Sequence, residues 1–254
     1  MNPLSSRTRN IYFLLLTFAF VLVVPVAVLY ATGYRLRDFS LQETGGVYVT
    51  VPISDVVVTI NGEEVGKSGL FDRTLYIPDL SPDKYVVQAT REGYYPWTKT
   101  ITVEPWIVTD ALALMVPTTI QLTEEPVATS TLAAFATTTV QESVGGMELL
   151  LEDGDVSVRW IRNPDNAPSA FCFRPSACAS EITILRGKED ALGAVFFSGG
   201  VVYRTQTGIY FSDIETRSPQ LILPLYTRPK ADFRIIDDAL VIKDGASYYR
   251  IDSF

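Results

Sequence analysis

The sequence predicts an all-β protein on one N-terminal transmembrane helix: a small antiparallel β-sandwich followed by a second β-rich, propeller-blade-like domain. Three observations carry this. An uncharged run of 25 residues lies between Arg9 and Arg35. Beyond it, short stretches with apolar residues at every second position recur between turns of Gly, Pro, Asn and Asp, the signature of half-buried strands. No convincing helix interrupts the first set of strands.

The apolar run has its core at 11–32, IYFLLLTFAFVLVVPVAVLYAT. At about 1.5 Å per residue, a helix of this length spans about 33 Å, enough to cross a bilayer core. Tyr12 and Tyr30 sit near its ends, where amphipathic rings favour the interface. Pro25 removes one helical hydrogen bond, which membrane spans tolerate. The competing reading is a cleaved signal peptide, because Ala31-Thr32-Gly33 has the small-x-small form of a cleavage site. The run exceeds a signal core of about 7–15 residues, so an uncleaved anchor is expected. Arg7 and Arg9 before the span balance Arg35 and Arg37 after it, and the α-amino group tips the count toward an N-terminus inside. The expected layout is a cytoplasmic tail (1–10), a span (11–32) and a juxtamembrane stretch (33–44), with everything from Asp38 onward outside the cytoplasm. A ten-residue tail leaves no room for a cytoplasmic output domain.

Charge and composition exclude several function classes. There is no histidine, which removes Ser-His-Asp and Cys-His catalysis and His-ligated metals. Four arginines and no acid precede Asp38, so the remainder carries 17 bases against 29 acids. That surface repels phosphate backbones, so nucleic acid is not an expected partner. It also repels an anionic bilayer, which favours a domain held clear of the lipid.

The first domain is expected over 45–117. GVYVTV (46–51) places Val47, Val49 and Val51 on one face. VVVTIN (56–61) ends at Gly62, and RTLYI (73–77) precedes a turn at Pro78-Asp79. YVVQAT (85–90), WTKTITV (97–103) and IVTDALALM (107–115) complete the set. These residues resemble the PEGA domain family in four places. INGEEVG (60–66) is similar to its strand and Asn-Gly hairpin, DLSPDKYVVQA (79–89) to its turn before a tyrosine-led strand, REGYYPW (91–97) to its Gly-Tyr corner, and ITVEP with ALALMVP to its last strands. The resemblance implies a binding or spacer module of prokaryotic envelope and surface proteins, without a defined ligand. Where the family has a Pro-Gly turn, Pro82-Asp83-Lys84 stands, so Asp or Lys is expected at positive φ.

Residues 118–146, rich in Thr, Ala and Ser, are expected to form an extended or partly ordered linker. Strand texture resumes over 147–254: MELLLE and VSVRWI flank Asp153-Gly154, and seven more candidates follow 163–179, namely EITIL, AVFFS, VVYRT, GIYFSDI, DFRII, ALVIK and SYYRI. About 105 residues supply two four-stranded blades, too few to close a propeller. A separate sandwich, a truncated propeller and a half that needs partners all remain open.

Candidate sites are few. Tyr94, Tyr95, Trp97 and Trp106 form the candidate aromatic platform for a glycan or peptide, against a plain core and corner-packing role. Acid pairs at Glu152/Asp153/Asp155, Glu189/Asp190 and Asp237/Asp238 read as solvated turns; a glycosidase needs two facing carboxylates. Asp153-Gly154-Asp155 lacks EF-hand spacing, and no metal or other cofactor is expected. Cys172 and Cys178 are the only cysteines. Their spacing does not fit a Cys-x-x-Cys redox site, and an extracytoplasmic setting favours a structural disulfide. The expected function is a non-enzymatic, envelope-anchored binding or scaffold protein. The alternatives are a cell-wall glycan binder and a carboxylate-type glycosidase.

Overall fold

The computed structural model describes residues 6–37, 40–126, 129–136, 143–187 and 190–254. Asp38, Glu189 and the linker residues 127–128 and 137–142 lie outside the described residues. Helix α1 (Ser6–Ala31) has no residue buried against the rest of the protein, and its most apolar window has a mean hydropathy of 2.7. It is long and apolar enough to cross a membrane, and so is a candidate anchor or signal sequence. It starts five residues before the uncharged core and takes in Arg7 and Arg9. The chain then turns into a hairpin of β1 (Tyr34–Arg37) and β2 (Ser40–Glu43), in which Leu36 faces Leu41.

Seven strands follow: β3 (Gly45–Thr50), β4 (Val57–Ile60), β5 (Glu63–Lys67), β6 (Thr74–Leu80), β7 (Lys84–Thr90), β8 (Trp97–Thr102) and β9 (Val108–Leu112). They form two sheets, ordered β6-β3-β9 and β5-β4-β7-β8. Val47 and Val49 of β3 meet Val58 and Ile60 of β4, Val87 and Ala89 of β7, and Trp97 and Ile101 of β8 in one core. The sandwich is not wholly antiparallel: β9 runs parallel to β3, because the chain crosses from one sheet to the other through 103–107 before β9 pairs. The turn expected at Pro78-Asp79 is instead an irregularity inside β6, with Asp79 at φ 62°. The positive φ expected at Asp83 or Lys84 falls on Asp79. Strand β5 carries Glu63, Glu64 and Lys67 on the edge of its sheet, a charged rim that discourages edge pairing.

The remaining strands are β10 (Thr123–Glu124), β11 (Ser143–Val144), β12 (Met147–Glu152), β13 (Asp155–Trp160), β14 (Cys172–Arg174), β15 (Ala177–Cys178), β16 (Glu181–Leu185), β17 (Gly193–Phe197), β18 (Gly200–Arg204), β19 (Ile209–Asp213), β20 (Ile222–Tyr226), β21 (Asp232–Ile236), β22 (Ala239–Asp244) and β23 (Ser247–Ile251). A second helix, α2 (Thr129–Ala136), lies between β10 and β11. The segment expected to be a linker therefore holds two short strands and a helix. Three four-stranded sheets result, ordered β11-β12-β13-β16, β17-β18-β19-β20 and β21-β22-β23-β10. The expected count of two blades is corrected to three for two reasons. Residues 222–226 form a strand despite Pro224, which an edge position tolerates. The outer strand of the third sheet comes from upstream, where β10 pairs with β23.

The three sheets stack face to face, and among the described residues none closes into a barrel. The middle sheet is apolar on both faces. Phe196, Val201 and Tyr203 pack toward the first sheet, and Val195, Phe197 and Val202 toward the third. This is why AVFF and GVVY read as continuous apolar runs rather than alternating ones. Both ends of the stack are finished within the chain. The outer face of the first sheet carries Glu148, Arg159 and Glu181, with Arg159 3.0 Å from Glu181. The outer face of the third is covered by α2, whose Phe135 meets the Tyr248 ring edge-on at 5.6 Å beneath the cations of Arg234 and Lys243.

Candidate functional site

The four candidate aromatics do not share a surface. Trp97 is 1% exposed and fills the sandwich core opposite Ala89. Its position in strict alternation with Ile101 sends the indole inward. Tyr94 packs on that same core, with the Arg91 guanidinium 5.1 Å above its ring, while Tyr95 packs on the core of the blades. Gly93 at φ 80° makes the corner that splits the two tyrosines. Trp106 is exposed and lies near the end of α1, beside Tyr34. The platform is therefore corrected to three packed rings and one exposed ring set apart from them.

Of the candidate acid groups, Asp153 lies in the β12–β13 turn between the strand-end residues Glu152 and Asp155, and Glu189 lies outside the described residues. Asp237 and Asp238 form the exposed tip between β21 and β22, at φ 48° and 60°. Asp238 also lines a shallow recess of about 250 Å³ with Val144, Phe196, Gly199 and Ile235, and no second acid lines it. Asp155 accepts the Gly187 amide at 3.1 Å and pairs with Arg186. Among the described residues no three His, Cys, Asp or Glu side chains gather as a metal site.

What the fold does bring together is a polar seam where the sandwich meets the blades. Strand alternation puts Lys99 on the face of Trp97 and Ile101, and Asp213 on the face of Ile209 and Phe211, so two charged residues occupy apolar positions. They meet across the seam: Lys99 Nζ lies 2.5 Å from Asp213 Oδ2 and donates to the Pro219 carbonyl at 2.6 Å. Both are essentially buried. Asp213 Oδ1 accepts the Leu221 amide at 2.9 Å, while Oδ2 makes only the ionic contact. Burial pushes the Asp213 carboxyl above the usual carboxylate range, and the ammonium opposes that shift. Beside the pair, buried Arg217 donates twice to Glu215, at 2.8 and 2.6 Å, and once to the Asp110 carbonyl at 3.0 Å. The Thr100 amide donates to the Ser218 carbonyl at 2.7 Å.

Cys172 and Cys178 are joined by a disulfide. They face each other in the β14–β15 pair, so the bond closes a small hairpin. That hairpin leans on the sandwich, where the Glu104 carboxylate accepts the Ser176 amide at 3.0 Å and its hydroxyl at 2.7 Å. Phe173 and Arg174, within the closed loop, line a recess of about 380 Å³ at the seam. Lys84 and Thr102 of the sandwich line it opposite Thr216 and Ser218. Its chemistry is that of cations, hydroxyls and one half-exposed ring, suited to holding a polar or acidic ligand. Sequence reading missed this seam. The available signal was a lysine and an aspartate on the apolar faces of otherwise regular strands. No family model matches the chain, and no curated protein shows significant similarity to it.

Proposed function

We propose that the chain is a non-enzymatic, membrane-anchored protein of the cell envelope, whose β domains lie outside the cytoplasm and bind an envelope partner. The observation that carries this reading is the recess at the seam, with Phe173 and Arg174 held on a disulfide-closed hairpin. A preformed recess between domains in which polar groups converge is a candidate binding site, and this one is lined mainly by cations and hydroxyls. A disulfide persists in an oxidising compartment, which supports an extracytoplasmic position. The apolar helix supports the anchor, and the PEGA-like motifs support a binding or spacer module. The test is retention of envelope components by the detergent-solubilised chain. Binding that Lys84→Ala and Arg174→Ala together weaken at least tenfold supports the recess; retention unchanged in that double variant removes it.

A cell-wall glycan is the second reading, favoured by Phe173, 50% exposed beside threonine and serine hydroxyls. It moves the glycan from the four separated aromatics to the seam. Titration with soluble wall fragments, followed by calorimetry, distinguishes it from a protein partner.

A further inference from the structure

The end of α1 does not hang free of the sandwich. The Gly33 carbonyl accepts both the Thr44 amide at 2.9 Å and the Thr44 hydroxyl at 2.8 Å. The Trp106 amide in turn donates to the Thr44 carbonyl at 2.9 Å. The helix end, the base of the first hairpin and the 103–107 crossover are thus stitched together within a few residues.

Trp106 is held at φ 60°. For a bulky side chain this region is strained, and such strain persists only where the surroundings impose it. The conformation leaves the indole 56% exposed, with its ring 6.0 Å from Tyr34. Tyr34, Leu36 and Leu41 share one hairpin face, since Leu36 and Leu41 are cross-strand partners and Tyr34 is two residues from Leu36. Leu36 is 71% exposed, and Ile107 beside Trp106 is exposed as well. Among the described residues one acid shares that face, Glu43 at its base opposite Tyr34. Arg35, on the other face, is neutralised by Asp79 at 2.6 Å and lies over the Tyr30 ring.

We infer that this aromatic and aliphatic collar is a second, peripheral membrane contact, buried in the headgroup and upper acyl region of the bilayer that α1 enters. The inference rests on α1 being an uncleaved membrane anchor. Its level follows from chain length. The apolar part of the helix, Ile11 to Ala31, spans about 31 Å at about 1.5 Å per residue, which matches the hydrocarbon core. Ala31 then lies at the core boundary, and Gly33, Tyr34 and the stitched Trp106 lie in the headgroup zone just beyond it. Tryptophan and tyrosine favour that zone because one end of each ring is apolar and the other polar. The collar is continuous with the helix, so lipid reaches it without any second partner. The one end of the sandwich that carries the collar sits on the lipid. Strain at Trp106 then has a use: it aims the indole at the interface instead of the core.

The test uses the full chain in nanodiscs of phosphatidylcholine, with a fraction of the lipid brominated near the carbonyl end of its acyl chains. The chain has three tryptophans, and Trp97 is buried in the sandwich while Trp160 belongs to the blades. Lipid bromine should quench about a third of the emission, and Trp106→Phe should abolish that component. Leu36→Ser with Leu41→Ser, which keeps the probe, should at least halve it and raise quenching by aqueous acrylamide. A chain that resists carbonate extraction yet shows acrylamide quenching of Trp106 and no lipid quenching overturns the collar while leaving the anchor intact. Release of the chain by carbonate overturns the anchor and the collar together.

Discussion

Lys99 and Asp213 show how one residue pair can hold two domains in register. Each sits where strand alternation demands an apolar side chain, and each is tolerated because the other supplies the opposite charge. Lys99→Met strands a buried carboxylate and should destabilise the β body by about 3–5 kcal/mol in urea unfolding, whereas Lys99→Met with Asp213→Leu should recover most of that loss. The pH dependence follows from the raised carboxyl. The folded state holds the Asp213 proton more tightly than the unfolded chain does, so this group's contribution is full below its ordinary value of 3.8 and is lost as pH rises through the folded value. Removing the ammonium leaves desolvation unopposed and raises the carboxyl further. The deficit of Lys99→Met should therefore be smaller at pH 4 than at pH 8; an equal deficit at both would mean that Asp213 does not titrate there. The same alternation decided the tryptophans: Trp97 lies in register with Ile101 and is core, while Trp106 lies in a crossover and is surface.

Among the elements, α2 has eight residues, too short to be stable alone. Docking on the third sheet holds it, with Phe135 against Tyr248 and Thr131 buried, and this depends on a face that exists only once β21 to β23 have paired. Phe135→Ala should cost about 1–3 kcal/mol, less than a fully buried Phe→Ala change, and should make the chain near α2 markedly more sensitive to limited proteolysis. The β14–β15 hairpin illustrates the opposite case, in which two cysteines in sequence already mark a closed loop. Its disulfide should contribute about 2 kcal/mol on the chain-entropy model. Alkylation of the folded, unreduced protein should leave both thiols unlabelled; labelling of both would show that the bond is absent in the native compartment.

At the scale of the molecule, the sandwich and the three stacked sheets are tied by the buried pair, by Arg217 reaching the Asp110 carbonyl and by the Glu104 contact with the disulfide hairpin. Among the described residues, a charged ladder finishes one end of the stack and α2 covers the other. The proposed topology puts this whole body outside the cytoplasmic membrane. Protease added to intact spheroplasts should digest it, and protection of the C-terminal region would reverse the orientation.

The helix, the strands and most turns were legible in the sequence because each rests on local physics: an uncharged apolar run, a period of two, and residues such as Asp and Gly at positive φ. Val47, Val49 and Val51 declare their face without any partner in view. Strand β20 was hidden by Pro224 and β10 by its two-residue length, since whether either pairs depends on a neighbour far away in sequence. The parallel pairing of β3 with β9, the third sheet completed from upstream, and the recess between Lys84 and Phe173 were decided only by the tertiary structure. Each joins residues many positions apart, and no local pattern records which strand edges or side chains meet once the chain has closed on itself.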